Sequence, residues 1–229
     1  MSSNVVLIKK NDNKPRFCVD YRRLDEKTIK DAYPLPRISA CLDALGSAEY
    51  FSTFDLRSDY HQVLMEPVDT EKTAFVTREG FYEYRLMPFE LSNATATFQR
   101  LMDITSDLNF LILLVYLDDI IIYSKTITEH LERLELLFRR LAAANLKLKS
   151  SKCFLLQKKV AFLGHTISAK VLGTEDNKIE SVRHWPTPKS VKDIRGFLGF
   201  CSYYRRFMRS FASIASPLLA LTHTNIRFS

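Results

Sequence analysis

Hydrophobic and polar residues alternate along this chain in ways that predict both strands and helices. Two very apolar segments, residues 110–115 and 120–123, flank a short polar stretch and predict two buried strands joined by a tight hairpin. Residues 50–56 alternate like a third strand, in which Asp55 shares one face with Phe51 and Thr53. A carboxylate is therefore expected close to the end of that strand.

Helical spacing predicts several further elements. Residues 92–107 predict one helix, and residues 37–45 predict a shorter one that ends near Gly46. A capping box of Thr126 and Glu129 begins a helix that ends at Asn145. The remaining predictions are strands at 5–10, 16–21, 154–156 and 160–167, a hairpin-like segment at 67–90, and a helix capped by Ser190 and Asp193.

The composition indicates a globular protein. A chain of 229 residues that is 46% hydrophobic can bury a sizeable core. Its longest apolar run, residues 110–116, is far shorter than the ~20 residues of a membrane span, and the amino terminus lacks a signal-peptide pattern. The 4 cysteines lie far apart, which argues against zinc or disulfide frameworks and favours a reducing compartment.

Charge is distributed unevenly along the chain. Residues 1–40 carry 9 basic and 5 acidic side chains, residues 41–176 carry 15 and 19, and residues 177–229 carry 9 and 2. An acidic centre can hold cations while basic ends hold phosphates, as a nucleic-acid polymerase requires. Scattered lysines that only keep the protein soluble remain an alternative explanation.

Candidate chemistry lies at the crest of the predicted hairpin, in Tyr116-Leu117-Asp118-Asp119. Two adjacent carboxylates between apolar strands need a counter-charge, and a hard divalent cation is a natural one. Aspartates are also ordinary turn residues, so this pair alone leaves both interpretations open. Asp55 is a candidate third carboxylate, because two-metal sites usually draw their ligands from more than one strand.

Ordered motifs occur along nearly the whole chain. They are RFCVDYR at 16–22, YPLPRI at 33–38, YFSTFDLRS at 50–58, YHQ at 60–62, MPF at 87–89, ATFQR at 96–100, YLDD at 116–119, FLGH at 162–165, WPTP at 185–188 and YYRRF at 203–207. Together these motifs resemble the reverse transcriptases of gypsy-type long-terminal-repeat retrotransposons. The resemblance implies an α+β right-hand polymerase. Residues 1–174 would form the fingers and an antiparallel-sheet palm, and residues 175–229 a helical thumb that stops before any ribonuclease H domain.

The activity implied by the resemblance is RNA-directed DNA polymerisation. Such an enzyme adds deoxynucleotides to a primer 3′ end on an RNA or DNA template during retrotransposon replication. Asp55, Asp118 and Asp119 would bind two Mg²⁺ ions, with Mn²⁺ as the alternative metal. Because adjacent strand residues point to opposite faces, Asp118 is expected to carry more of the ligation than Asp119.

The resemblance also implies a set of binding residues. The nucleotide-binding residues would be Lys10, Arg16, Leu56, Tyr60 and Phe89. The first two would contact the triphosphate and Tyr60 would underlie the sugar. Without the resemblance, the first two would be solvated hairpin residues and Tyr60 a core tyrosine.

A second set of residues would hold the primer and template. These are Phe162, Leu163, Gly164 and His165, although a lone histidine is more often structural. The expected partners are an RNA or DNA template-primer and deoxynucleoside triphosphates, with no membrane, and the oligomeric state is left open. The expected location is intracellular: the cytoplasm or a virus-like particle, or else the nucleus.

Three residues depart from the family pattern close to the expected chemistry. Asp59 and Glu90 each replace a glycine, and Thr95 replaces a proline. A carboxylate facing the triphosphate could oppose it by about 4 kcal/mol at ~4 Å and an effective dielectric of ~20. The alternative function is therefore a catalytically impaired nucleic-acid-binding remnant of a decayed retrotransposon.

Overall fold

A computed structural model describes residues 2–9 and 15–223 of the chain, without the side chains of Arg16 and Asp59. The chain forms two compact units, Met1–Val160 and Ala161–Ser229. The sequence predicts that the fingers and palm end at residue 174 and that the thumb follows. The observed division lies before that residue, and the assignment to fingers, palm and thumb stays a prediction. No helix in the described ranges is long and apolar enough to cross a membrane.

The strands of the described residues belong to both units. They are β1 (Asn4–Lys9), β2 (Pro15–Asp20), β3 (Tyr50–Asp55), β4 (Phe75–Val76), β5 (Phe81–Tyr82), β6 (Leu113–Tyr116), β7 (Asp119–Ser124), β8 (Phe154–Gln157), β9 (Lys159–Phe162), β10 (His165–Ser168) and β11 (Leu172–Thr174).

The helices lie between and after these strands in the sequence. They are α1 (Arg22–Asp25), α2 (Ile38–Ala44), α3 (Pro67–Thr70), α4 (Ala94–Leu101), α5 (Ile127–Ala143), α6 (Asp176–Arg183), α7 (Val191–Tyr203) and α8 (Phe211–Ala220). Short 3₁₀ turns include Asp59–Gln62, Met102–Thr105 and Ser150–Lys152.

A central antiparallel sheet with strand order β6-β7-β3-β8 organises the described part of the first unit. Strands β6 and β7 and half of β3 are buried, because α4 and α5 contribute to the same hydrophobic cluster, where Phe98 and Leu137 are fully buried. The edge strand β8 is exposed. The predicted apolar hairpin is thus confirmed as β6 and β7. Burial of these contiguous apolar side chains is the main force that holds the sheet in place.

Helix α5 matches its predicted ends. The Thr126 hydroxyl accepts a hydrogen bond from the Glu129 amide and caps the first turn. Asn145, which follows the helix, adopts the left-handed conformation with φ of 55° that favours a helix stop. Both ends of this helix were therefore readable from local residue chemistry.

Two predicted elements differ from the structure. The helix predicted over 92–107 ends as an α-helix at Leu101 and continues as a 3₁₀ turn. The strand predicted over 160–167 is broken into β9 and β10, because Leu163 and Gly164 both have positive φ. Two consecutive positive φ values form a tight hairpin turn rather than a continuous strand.

The second unit has its own small core. In the described chain the sheet order is β11-β10-β9, and α7 packs against α8 through Ile194, Leu198 and Ala215. The predicted cap of α7 is confirmed, since the Ser190 hydroxyl accepts a hydrogen bond from the Asp193 amide. Local capping and an apolar stripe explain this helix.

Candidate active site

Two of the predicted aspartates face one another at the end of the central sheet. Asp55 ends β3 and Asp119 begins β7, and the register pairs these two residues directly. Side chains that lie opposite each other on antiparallel strands share one face and approach closely. The sheet therefore brings together two carboxylates that are 64 residues apart in sequence.

Asp118 lies beside this pair in the two-residue turn between β6 and β7. Strand alternation does not apply to a turn residue, so it cannot decide whether Asp118 or Asp119 is the stronger ligand. The expectation that Asp118 carries more of the ligation stays a prediction. All three carboxylates are partly accessible to solvent, as a site for charged ligands requires.

A buried glutamine holds this turn in place. Leu117 has a positive φ of 56°, a conformation that a leucine rarely adopts. Its amide donates a hydrogen bond of 2.9 Å to Oε1 of Gln99, whose side chain is buried on α4. The sequence placed Gln99 in a family motif but did not reveal this role, which depends on contact between distant elements.

A lysine occupies the space beside Asp55. Nζ of Lys152, in the 3₁₀ turn before β8, lies 2.6 Å from Oδ2 of Asp55. Among the described residues, no three His, Cys, Asp or Glu side chains form a cluster that would hold a metal by itself. The carboxylates nevertheless suit a hard divalent cation, because they are oxygen donors and one already binds a cationic group. To bind such an ion through Oδ2 of Asp55, the site would have to weaken or break the ion pair between that oxygen and Nζ of Lys152.

The predicted aromatic residues Tyr60 and Phe89 form one cluster. The Tyr60 ring packs against Phe89 at 5.3 Å and against the buried Phe98 at 5.2 Å between ring centroids. Its hydroxyl lies 3.3 Å from Oγ1 of Thr95. The threonine that replaces the family proline therefore gains a contact with Tyr60.

The other predicted nucleotide-binding residues contribute less to the site as described. Leu56 is 1% exposed, so only its backbone could contact a nucleotide. Arg16 lies in β2, but its side chain is not described, and Lys10 lies outside the described residues. Their predicted contacts with the triphosphate remain predictions.

The two substituted glycine positions differ in what the structure shows. Glu90 keeps a positive φ of 77°, and its Oε2 accepts a hydrogen bond of 3.1 Å from the Val19 amide. Burial raises the pKa of Tyr84, and the charge of Glu90 raises it further. Asp59 begins a 3₁₀ turn after Ser58, which has φ of 59°, but its side chain lies outside the description. The predicted repulsion by Asp59 therefore stays a prediction.

A buried histidine joins the strands that carry the aspartates. His130 on α5 lies 2.7 Å from the Ser52 hydroxyl on β3 and 2.8 Å from the Ser124 hydroxyl on β7. The Leu156 amide donates to Ser52, and Ser124 donates to the Thr126 carbonyl. Because the Ser124 hydroxyl donates its hydrogen to Thr126, Nδ1–H of His130 donates to Ser124, and Nε2 of the neutral ring then accepts from Ser52. No pattern in the sequence predicts this network.

The predicted primer-binding residues lie at the β9–β10 turn. Phe162 and His165 are 4% and 1% exposed, whereas Leu163 and Gly164 are half-buried, so the accessible surface of this motif lies at the turn. The contacts of these four residues with primer and template stay a prediction. The His165 ring stacks on Tyr203 at 5.3 Å, and burial lowers its pKa. The structural interpretation of the histidine is therefore the better one.

Known proteins share both the sequence and this geometry. The family model described as reverse transcriptase (RNA-dependent DNA polymerase) matches residues 8–167. The chain belongs to the reverse transcriptase family. Drosophila melanogaster Pol polyproteins from transposons 297 and gypsy are 46% and 38% identical to it over 90% and 91% of its length. The chain spans about a fifth, 20%, of each of these relatives.

Solved structures confirm the α+β reverse transcriptase fold. The foamy viral protease-reverse transcriptase in complex with double-stranded DNA matches with a TM-score of 0.91 and 25% identity. That match covers 100% of this chain and 40% of the other. The same viral protein in complex with an RNA/DNA hybrid matches with a TM-score of 0.82 and 25% identity, over 99% of this chain and 31% of the other. The resemblance inferred from the motifs is confirmed at the level of family and fold.

Proposed function

We propose that this chain is the polymerase core of a retrotransposon reverse transcriptase. It adds deoxynucleotides to a primer 3′ end on an RNA or DNA template. The observation that carries the proposal is the pairing of Asp55 with Asp119 across neighbouring strands, with Asp118 in the adjoining turn. The foamy viral relatives bound to double-stranded DNA and to an RNA/DNA hybrid support these partners.

The three aspartates are the residues that would hold two Mg²⁺ ions, or Mn²⁺ in their place. Bound divalent ions would supply charge stabilisation for the primer 3′-oxygen and for the leaving pyrophosphate. The protein's contribution is positioning, because the sheet fixes Asp55 and Asp119 and Gln99 fixes the turn that holds Asp118. Carboxylates held this way need little rearrangement when substrate arrives.

The aromatic cluster would form the floor of the nucleotide site. Tyr60 is constrained by Phe89, Phe98 and Thr95, so its ring has few alternative positions. A fixed aromatic ring below the sugar would disfavour a ribose 2′-hydroxyl by its bulk. We therefore assign the deoxynucleotide preference of this core to Tyr60.

Primer extension with Mg²⁺ by the purified chain tests the proposed activity. We expect extension by the unaltered chain and a loss of about 10²- to 10³-fold in Asp118→Asn, which removes one charged ligand. Asp176→Asn, a surface change on α6, is the matched control and should leave extension unchanged. Extension no greater than that of Asp118→Asn would refute the proposed activity.

Substituted glycine positions favour a second candidate function, a nucleic-acid-binding remnant without synthesis. The sequence has an additional acidic residue, Asp59, next to the predicted nucleotide-binding residue Tyr60, while both ends of the chain keep their basic residues. This candidate predicts duplex binding that weakens steeply with salt, together with no primer extension. Recovery of extension in Asp59→Gly would support it, and absence of duplex binding at low salt would refute it.

A further inference from the structure

The outer edge of β2 offers backbone donors that no neighbouring strand uses. Within the described part of the chain, β2 pairs only with β1, and Val19 lies opposite Val5 in that pair. In an antiparallel pair, alternate amides point away from the partner strand. The Val19 amide is one of these, and it donates to Oε2 of Glu90 at 3.1 Å. A side chain from a segment 71 residues away thus completes the edge of the hairpin.

The backbone at Glu90 has a conformation that glycine adopts more easily. Its φ of 77° lies in the left-handed region, where a Cβ is disfavoured. A glycine would relieve this strain, yet it could not reach the Val19 amide. Glutamate at this position therefore has a strained backbone conformation, but its side chain forms a hydrogen bond to the hairpin.

Neighbouring residues fasten the same loop to a different segment. The Ser92 amide donates to Oδ1 of Asp25 at 2.9 Å, and the Asp31 amide donates to Oδ1 of Asn93 at 3.0 Å. These bonds tie residues 92–93 to residues 25–31, but they do not reach β2. Leu91 packs against the apolar cluster that contains Val19, and Glu90 adds a hydrogen bond from this loop to the backbone of β2.

Phe89 makes this attachment relevant to the site. It precedes Glu90 and packs against the rings of Tyr60 and His61 at 5.3 Å and 4.9 Å. Movement of the Glu90 backbone would therefore shift one wall of the aromatic cluster. A carboxylate that holds the loop against β2 would also be kept out of the nucleotide's path.

We propose that Glu90 is a positioning residue that fastens the Phe89 loop to the edge of β2 and so sets one wall of the nucleotide site. The part about the nucleotide rests on the proposed function. The attachment itself rests on the Glu90–Val19 hydrogen bond and can be tested without catalysis.

Amide hydrogen exchange at Val19 tests the attachment directly. We expect Val19 exchange in Glu90→Ala and Glu90→Gly to rise about tenfold, which corresponds to about 1.4 kcal/mol and lies in the range of a single hydrogen bond. Glu90→Gln keeps an acceptor oxygen and should preserve the protection. Glu83 is exposed and has no hydrogen-bond or ion-pair partner among the described residues, so Glu83→Ala and Glu83→Gln are matched controls.

Each exchange result decides the attachment. Unchanged Val19 exchange in Glu90→Ala would overturn it. Retained protection in Glu90→Gly would also overturn it, because the loop conformation alone would then protect the amide. Loss of protection in Glu90→Gln would show that charge rather than the hydrogen bond acts, and would likewise overturn it.

Nucleotide binding to a complex with a chain-terminated primer tests the functional part without needing chemistry. We expect a several-fold weaker apparent Kd in Glu90→Ala and an unchanged value in Glu90→Gln. An unchanged Kd in Glu90→Ala, together with lost Val19 protection, would overturn the positioning role. A wild-type chain that binds no nucleotide would refute the proposed function, whereas Val19 exchange would still decide the attachment.

Discussion

Replacing His130 with leucine is expected to destabilise the first unit and to change how its stability depends on pH. His130 is completely buried and makes hydrogen bonds to the Ser52 and Ser124 hydroxyls. Losing two neutral hydrogen bonds costs about 1 kcal/mol each, and leaving the Ser52 hydroxyl without an acceptor adds about 1 kcal/mol. Leucine is similar in size and recovers some apolar burial, so we expect a net loss of about 2 kcal/mol.

The pH dependence follows from the pKa of His130. Burial lowers this pKa in the folded state, the charge of Arg133 lowers it further, and Glu129 opposes the shift. The hydrogen-bond pattern has the same effect, because Nε2 must stay unprotonated to accept from Ser52. As the pH falls below about 6.5, the unfolded chain binds a proton at His130 that the folded chain does not bind. Wild-type stability must therefore decrease in that range through this residue.

Urea unfolding of both proteins, followed by far-ultraviolet circular dichroism at about pH 7.5 and about pH 5.5, measures this effect. Burial also lowers the pKa values of His61 and His165, but both histidines are present in both proteins and cancel in the comparison. The advantage of wild type over His130→Leu should shrink at the lower pH. An advantage that stays constant or grows would refute the deduced protonation state.

Further predictions concern a cation beside the aspartates and two glycines. Lys152→Met should strengthen Mn²⁺ binding several-fold in a paramagnetic-resonance titration, because Nζ no longer competes for Asp55; unchanged or weaker binding would contradict this. Gly164→Ala should lower the free energy of unfolding by about 2 kcal/mol, read from the single tryptophan, since its φ is 73° and its Cβ would lie 2.9 Å from the Tyr204 hydroxyl. Gly196→Ala, inside α7 with no atom within 4 Å of its Cβ, should instead raise it by about 0.5–1 kcal/mol; a loss of stability would show that the helix needs a glycine there.

Local patterns predicted the elements whose causes are local. The apolar runs predicted β6 and β7, alternation predicted β3, and capping residues predicted both ends of α5. The pairing of Asp55 with Asp119 required the resemblance as well, because nothing in the sequence states which strands are neighbours. The family and fold inferred from the motifs are confirmed by the comparisons.

Elements that depend on distant partners were not predictable in the same way. The turn that divides β9 from β10 contains Leu163, whose φ of 49° is not expected for a leucine. The buried contacts of His130 and the role of Gln99 join segments that are remote in sequence. Periodicity shows which side chains are buried, but it cannot show which distant polar group forms a hydrogen bond with a buried side chain.

Strain and long-range hydrogen bonds occur together at two positions of the first unit. Leu117 adopts a positive φ and its amide is held by Gln99, while Glu90 adopts a positive φ and its own carboxylate holds Val19. A disfavoured backbone conformation persists only where the surrounding structure fixes it, so each bond stabilises the turn beside it. The geometry around the aspartates therefore depends on contacts between segments that are distant in sequence. It follows that Glu90, which in the sequence looked like a misplaced charge, can stabilise the site as long as its carboxylate remains on the hairpin edge.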